Sequence, residues 1–162
     1  MNPTHVHLLI THLPIVGSVL GALVLAFGLG FKSAHTKIAA YVVLIISSLG
    51  AGIAYLTGEP AEESVEHLQG VSENMIHEHE EFALFALIGL IITGVLALIG
   101  LYMTIKRSAR TRTIAQITLL VSLVSFGLVA WTGYLGGQIR HTEINASATS
   151  AENVPEEKGE SD

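Results

Sequence analysis

The sequence predicts an all-α integral membrane protein: an up-down-up-down four-helix bundle with both termini outside and a short amphipathic helix in the outer loop. Three observations predict it. First, the 162-residue chain carries four long apolar runs, roughly 8–31, 38–57, 82–105 and 114–139, each near or above the ~20 residues a helix needs to cross ~30 Å of hydrocarbon. Second, half of the residues are hydrophobic and few are charged, which suits a small bundle in lipid better than a soluble enzyme. Third, charge is segregated. Six of the eight Lys and Arg lie in two short connections, 32–37 and 106–112, that contain no acid, and the positive-inside rule puts these in the cytoplasm. All fourteen Asp and Glu and seven of the eight His then fall on the outer side.

Helices are expected at about 6–31, 38–57, 76–105 and 112–140, within one domain spanning 1–144, followed by a disordered acidic tail at 145–162. The first run lacks the basic leader and small-residue cleavage site of a secretory signal, so it reads as a retained helix. Pro14 inside it removes a helical N–H and loosens the turn from Ile10 to His12. Gly17 and Gly21, then Gly50, Ala54 and Gly58, and later Gly133 and Gly137 recur at four-residue spacing, which lets helix backbones approach closely or leaves room for a flat cofactor. Phe31, Tyr41 and Tyr102 fall at the inner boundary and Tyr55, Trp131 and Tyr134 at the outer one, where amphipathic rings anchor. Between the second and third runs, Pro60 to Leu68 has a helical pattern with Glu59, Glu62, Glu63 and Glu66 along one face. Gly70 ends that element, and Ser72 with Glu73 to Met75 restarts a helix that becomes the third span. The tail has almost no large apolar residue and cannot offset the entropy of ordering.

The concentration of His and Glu on one side is where chemistry is expected. His12 stands one to two turns into the first helix, a depth at which an ionisable group is costly and is expected to face inward and to function. His79 and His141 lie at matching depth on other helices, His7 is a reserve, and Arg140 adjoins His141. Small Ala83 and Ala86 beside His79 suit a planar ligand. Neutral imidazoles ligate through one nitrogen while the other N–H is oriented by a carboxylate, and Glu66, Glu80, Glu81 and Glu143 are available for that role. Each of these residues also has a plainer reading: His12 as an interhelical hydrogen-bonding group, the carboxylates as a solvated anionic face, His67 and His77 as exposed surface. His35, on the cytoplasmic side, is given no role.

Exclusions narrow the chemistry. With no cysteine, disulfides, thiolate metal sites, iron–sulfur ligation and CxxCH haem attachment are ruled out. A net charge of −6 with no outward basic patch argues against a nucleic-acid partner. No phosphate-cradling Gly loop, zinc helix or nucleophile elbow is present, and the HEHEE run at His77 to Glu81 has the wrong spacing for a zinc motif. The inner halves of the second, third and fourth helices lack histidine, so a second haem layer for transmembrane electron flow is not expected from this chain alone.

The segments HLLITHLPIVG (His7 to Gly17), TGEPAEESVEHLQGVSE (Thr57 to Glu73) with the HEE at His79 to Glu81, and WTGYLGGQIRHTEI (Trp131 to Ile144) resemble an uncharacterised bacterial family of four-helix membrane domains, the domain-of-unknown-function family 2231. The resemblance covers the chain except its tail. It implies a bacterial inner-membrane location, and the basic connections place the site on the periplasmic or extracellular side. Because members of that family also occur joined to Rieske or cytochrome c modules, it implies by association that the outer site holds a haem or another redox metal.

Three readings stand. In the first, the chain binds haem b or a redox metal for electron transfer, with His12 and His79 as the axial pair, His7 and His141 as reserves and Arg140 facing the propionates, and a quinol or external carrier as partner. In the second, it binds or transports a non-redox divalent transition metal through His7, His12, His79 and His141 with Glu59, Glu62 or Glu66. In the third, it is a structural or assembly subunit whose His and Glu form a network fixing the outer helix ends.

Overall fold

The computed structural model describes residues 3–63 and 73–140, and among them every element is helical. The order is α1 (Pro3–Gly30), α2 (Ala34–Leu56), α3 (Gly58–Glu63), α4 (Glu73–Ile105) and α5 (Thr111–Arg140). Four of these, all but α3, are long and apolar enough to cross a membrane. The shortest, α2, has 23 residues, or about 35 Å at 1.5 Å per residue. The chain is a multi-pass membrane helical protein.

Helix α2 starts four residues earlier than the hydropathy pattern predicts, because Ser33 caps it: its hydroxyl accepts from the Thr36 backbone N–H at 3.2 Å. That bond satisfies a donor the first helical turn otherwise leaves unpaired, so the polar stretch Ala34 to Lys37 is helix rather than loop. The two short turns close alike. After α1 the Ser33 N–H bonds the Gly28 carbonyl at 3.0 Å with Lys32 at φ 53°, and after α4 the Ser108 N–H bonds the Met103 carbonyl at 3.0 Å with Arg107 at φ 52°. These are six-to-one helix closures whose left-handed position holds a basic residue where glycine is usual. Of the expected outer-loop helix, α3 begins at Gly58 and is described to Glu63; Glu66, His67, Leu68 and Gly70 lie outside the described residues.

The long helices close into a ring: α1 packs on α2 and α5, and α4 packs on α5 and α2. Along α1, Leu13, Gly17, Gly21 and Gly28 meet Gly50, Ser47, Leu44 and Lys37 of α2 in turn, so the two helices run in opposite order through their contact. The interior combines Leu25, Leu44 and Leu90 with many small and hydroxylated residues. Ser18, Ser47, Thr93, Thr118, Ser122 and Ser125 are fully buried with Ala22, Ala40, Ala97 and Ala115, whereas Leu20, Leu23, Phe27, Leu98, Leu120 and Val124 face out. Lipid is as apolar as leucine, so transfer from lipid alone does not drive burial, and close van der Waals contact, which small residues permit, holds the helices. The hydroxyls bond mostly to carbonyls one turn back, as Thr93 does to Gly89 and Thr118 to Ile114. Two link helices: Ser47 donates to the Pro14 carbonyl at 3.2 Å, and Thr93 meets Ser125 at 3.1 Å.

Tyr41 departs from expectation. It is not a boundary anchor but 0% exposed, its ring seated in the notch left by Gly100, where an added Cβ would come within 2.5 Å of Cζ. At the other end Trp131 and Tyr134 are exposed, with the Trp131 ring tilted against Tyr134 (5.4 Å) and edge-on to Phe82 (6.2 Å).

Candidate functional site

One end of the bundle gathers the start of α1, the end of α2, the start of α4 and the end of α5, and two histidines there are tied across helices. The Nδ1–H of His7 on α1 donates to the Ala54 carbonyl of α2 at 3.0 Å and also lies 3.2 Å from Thr57 Oγ1. The Thr57 hydroxyl spends its own proton on the Ile53 and Ala54 carbonyls, both at 3.0 Å, which leaves its oxygen to accept. The Nδ1–H of His79 on α4 donates to the Thr132 carbonyl of α5 at 3.0 Å. A carbonyl only accepts, so each neutral imidazole carries its proton on Nδ1 and leaves Nε2 unprotonated. Both rings are partly buried.

Small residues make room for these rings. At Gly136 of α5 an added Cβ would stand 3.0 Å from His79 Cε1 and 3.3 Å from Nδ1, whereas at neighbouring Gly137 it would meet nothing within 4 Å. At Gly58 it would sit 3.7 Å from His7 Cε1, an ordinary contact. The four-residue spacing pointed to Gly133 and Gly137; the residue that cradles the histidine is Gly136.

His12 does not face inward. It is exposed, and its Nδ1–H returns to the Leu8 carbonyl of its own helix at 2.7 Å. His7 and His12 are offset by about 140° at 3.6 residues per turn, and it is the His7 side of α1 that meets α2. His5 and His77 are exposed, the latter 3.7 Å from Glu81 one turn on, and His35 is exposed at the opposite end. In α3, Glu59 is exposed and Glu62 half-buried. Arg140 is the last residue of α5. His141, Glu66 and Glu143 lie outside the described residues. Among the described residues no group of three or more His, Asp or Glu stands together as a metal site would require.

Sequence reasoning missed Ala54, Thr57, Thr132 and Gly136. The backbone carbonyls of Ala54 and Thr132 carry no side-chain signature, but the Thr57 hydroxyl, at the depth of a histidine on a neighbouring helix, was a readable signal. No family model, curated protein or solved structure matches the chain, so the resemblance drawn from the three segments rests on those segments alone. What the comparisons leave is the architecture itself, a multi-pass helical membrane bundle with two oriented imidazoles at one end.

Proposed function

We propose that this chain is a bacterial inner-membrane protein, an up-down-up-down bundle with both termini and α3 on the outer side, and that His7 and His79 would hold haem b there through their Nε2 atoms. The observation that carries the reading is the shared tautomer: both Nδ1–H groups are fixed on carbonyls of a neighbouring helix, leaving both Nε2 atoms available. This is how metal-ligating histidines are oriented and made more basic. Haem would need two imidazoles, whereas structural or transport sites for divalent metals draw on three or more ligands, and the described residues bring no such group together. Haem held between two imidazoles supplies one-electron transfer. The chain's part is to orient His7 through Ala54 and Thr57, to orient His79 through Thr132 and Gly136, and to hold the pair at the end of the bundle where a quinol or an external carrier can reach it. The family resemblance, with its redox neighbours, points the same way by association.

The test is a reduced-minus-oxidised absorbance spectrum of the purified protein with elemental analysis. A b-type haem band is expected, lost in His7→Ala and His79→Ala and kept in His35→Ala. A second reading has its own observation: each histidine bond joins two helices that are consecutive long helices in the chain, α1 to α2 and α4 to α5, which alone makes a structural clamp. If every preparation lacks haem and metal, and the His7 and His79 variants lower only thermal stability, the clamp is the function and the haem reading is wrong.

A further inference from the structure

The opposite end of the bundle carries a cavity of about 180 Å³ lined by Gly28, Leu29, Lys32, Lys37 and Arg112. One water needs only ~10–15 Å³ on this measure, so a tetrahedral phosphate group fits. Lys37 is 9% exposed, its stem laid against α1 where a Cβ at Gly28 would come 3.0 Å from Lys37 Cγ. Among the described residues nothing pairs with its charge, and every carboxylate described lies at the His7–His79 end. The burial is that of the stem, and the ammonium itself stays accessible, free to meet an anion in the cavity. The surroundings add to the positive field: Lys37 sits in the first turn of α2 and Arg112 in the first turn of α5, with no acid in either turn. Helix N-termini favour anions and disfavour such cations. Lys32 completes the set from a left-handed position, φ 53°, which costs an L-residue free energy that glycine would not incur.

We propose that this cavity seats the phosphate of an anionic phospholipid. A lipid fits better than a soluble anion because the cavity opens beside apolar surface: Leu29 lines it, and Phe27 and Phe31, stacked at 4.2 Å, are exposed one helical turn apart on α1. The phosphate meets Lys32, Lys37 and Arg112 while acyl chains run along the outer face of α1 past Phe27, Leu23 and Leu20. A zwitterionic lipid would bring its ammonium into a cavity already holding three cations, so selection for net negative headgroups follows. The proposal needs only that the helices span a membrane and is independent of the haem reading.

The experiment is native mass spectrometry of the full chain in detergent, titrated separately with phosphatidylglycerol, phosphatidylethanolamine and inorganic phosphate. Retention of phosphatidylglycerol over phosphatidylethanolamine is expected, falling roughly tenfold or more in the Lys32→Gln, Arg112→Gln double variant and unchanged in Lys106→Gln, Arg110→Gln, whose cations lie at the same end but outside the cavity. Folding is controlled by a second pair: Lys32→Gly and Arg107→Gly relieve the same backbone strain, so both should be at least as heat-stable as the parent, and only Lys32→Gly should lose the lipid. Equal lipid retention in those two glycine variants would overturn the proposal, as would equal binding of the two lipids. Displacement of phosphatidylglycerol by millimolar inorganic phosphate would overturn it in favour of a soluble-phosphate site.

Discussion

Replacing Gly136 by Ala, with Gly137→Ala as its neighbour control, separates a helix effect from a histidine effect. Gly to Ala in a helix interior gains ~0.8–1.0 kcal/mol from backbone propensity, and at Gly137, where nothing lies within 4 Å of the new methyl, that gain stands unopposed. At Gly136 the methyl meets His79 Cε1 at 3.0 Å and Nδ1 at 3.3 Å, so the ring must retreat by a few tenths of an ångström. The retreat stretches the 3.0 Å bond from His79 to the Thr132 carbonyl, and a lost net hydrogen bond costs ~0.5–1.5 kcal/mol. The two terms nearly cancel. Gly136→Ala should therefore unfold within ~1 kcal/mol of the parent, while Gly137→Ala is the more stable of the pair. Thermal unfolding in detergent measures this, and the absorbance spectrum run on the same samples should change only for Gly136→Ala. Identical unfolding and spectra for the two variants would refute the contact between Gly136 and His79 on which the orientation of that imidazole rests.

Two further outcomes are expected. Gly100→Ala drives a methyl to 2.5–2.7 Å from the Tyr41 ring and hydroxyl and should cost ~1–3 kcal/mol as overpacking of a rigid interior, whereas Gly127→Ala, open on that side, should cost nothing; equal melting temperatures would remove Tyr41 from that notch. A cysteine introduced at Ser108 should resist a membrane-impermeant thiol reagent in intact cells while one at Glu59 labels, and the reverse pattern would invert the proposed orientation.

The four spans were legible because hydropathy over twenty residues depends little on neighbours, whereas the facing of any one side chain depends on where the next helix lies. His12 shows the difference: its depth in α1 could be read along the chain, but which side of α1 meets α2 could not, and the inward position belongs to His7. Tyr41 was assigned to the boundary by the general habit of amphipathic rings, and the Gly100 notch that buries it sits 59 residues away on another helix. The start of α2 was misplaced because Ser33, Thr36 and Lys37 look like loop in composition while Ser33 works as a cap. The buried row of Ser18, Ser47, Thr93, Thr118, Ser122 and Ser125 went unread for a related reason. Hydroxyl residues mark turns in water but fill interiors in lipid.

The histidine bonds pair the helices in a way that bears on how the protein is made. His7 fastens α1 to α2 and His79 fastens α4 to α5, and each pair is closed at its other end by its own six-to-one turn. Each half is thus complete as a hairpin before it meets the other, and the surfaces that join them, Ser48 against Gly94, Tyr41 against Gly100 and Ile15 against Gly133, are side chains fitted to glycines. Insertion into the bilayer can proceed hairpin by hairpin during synthesis, with association as a separate later step. Two co-expressed fragments, cut in the connection after α3, would have every one of these contacts still to make and could reassemble into the whole.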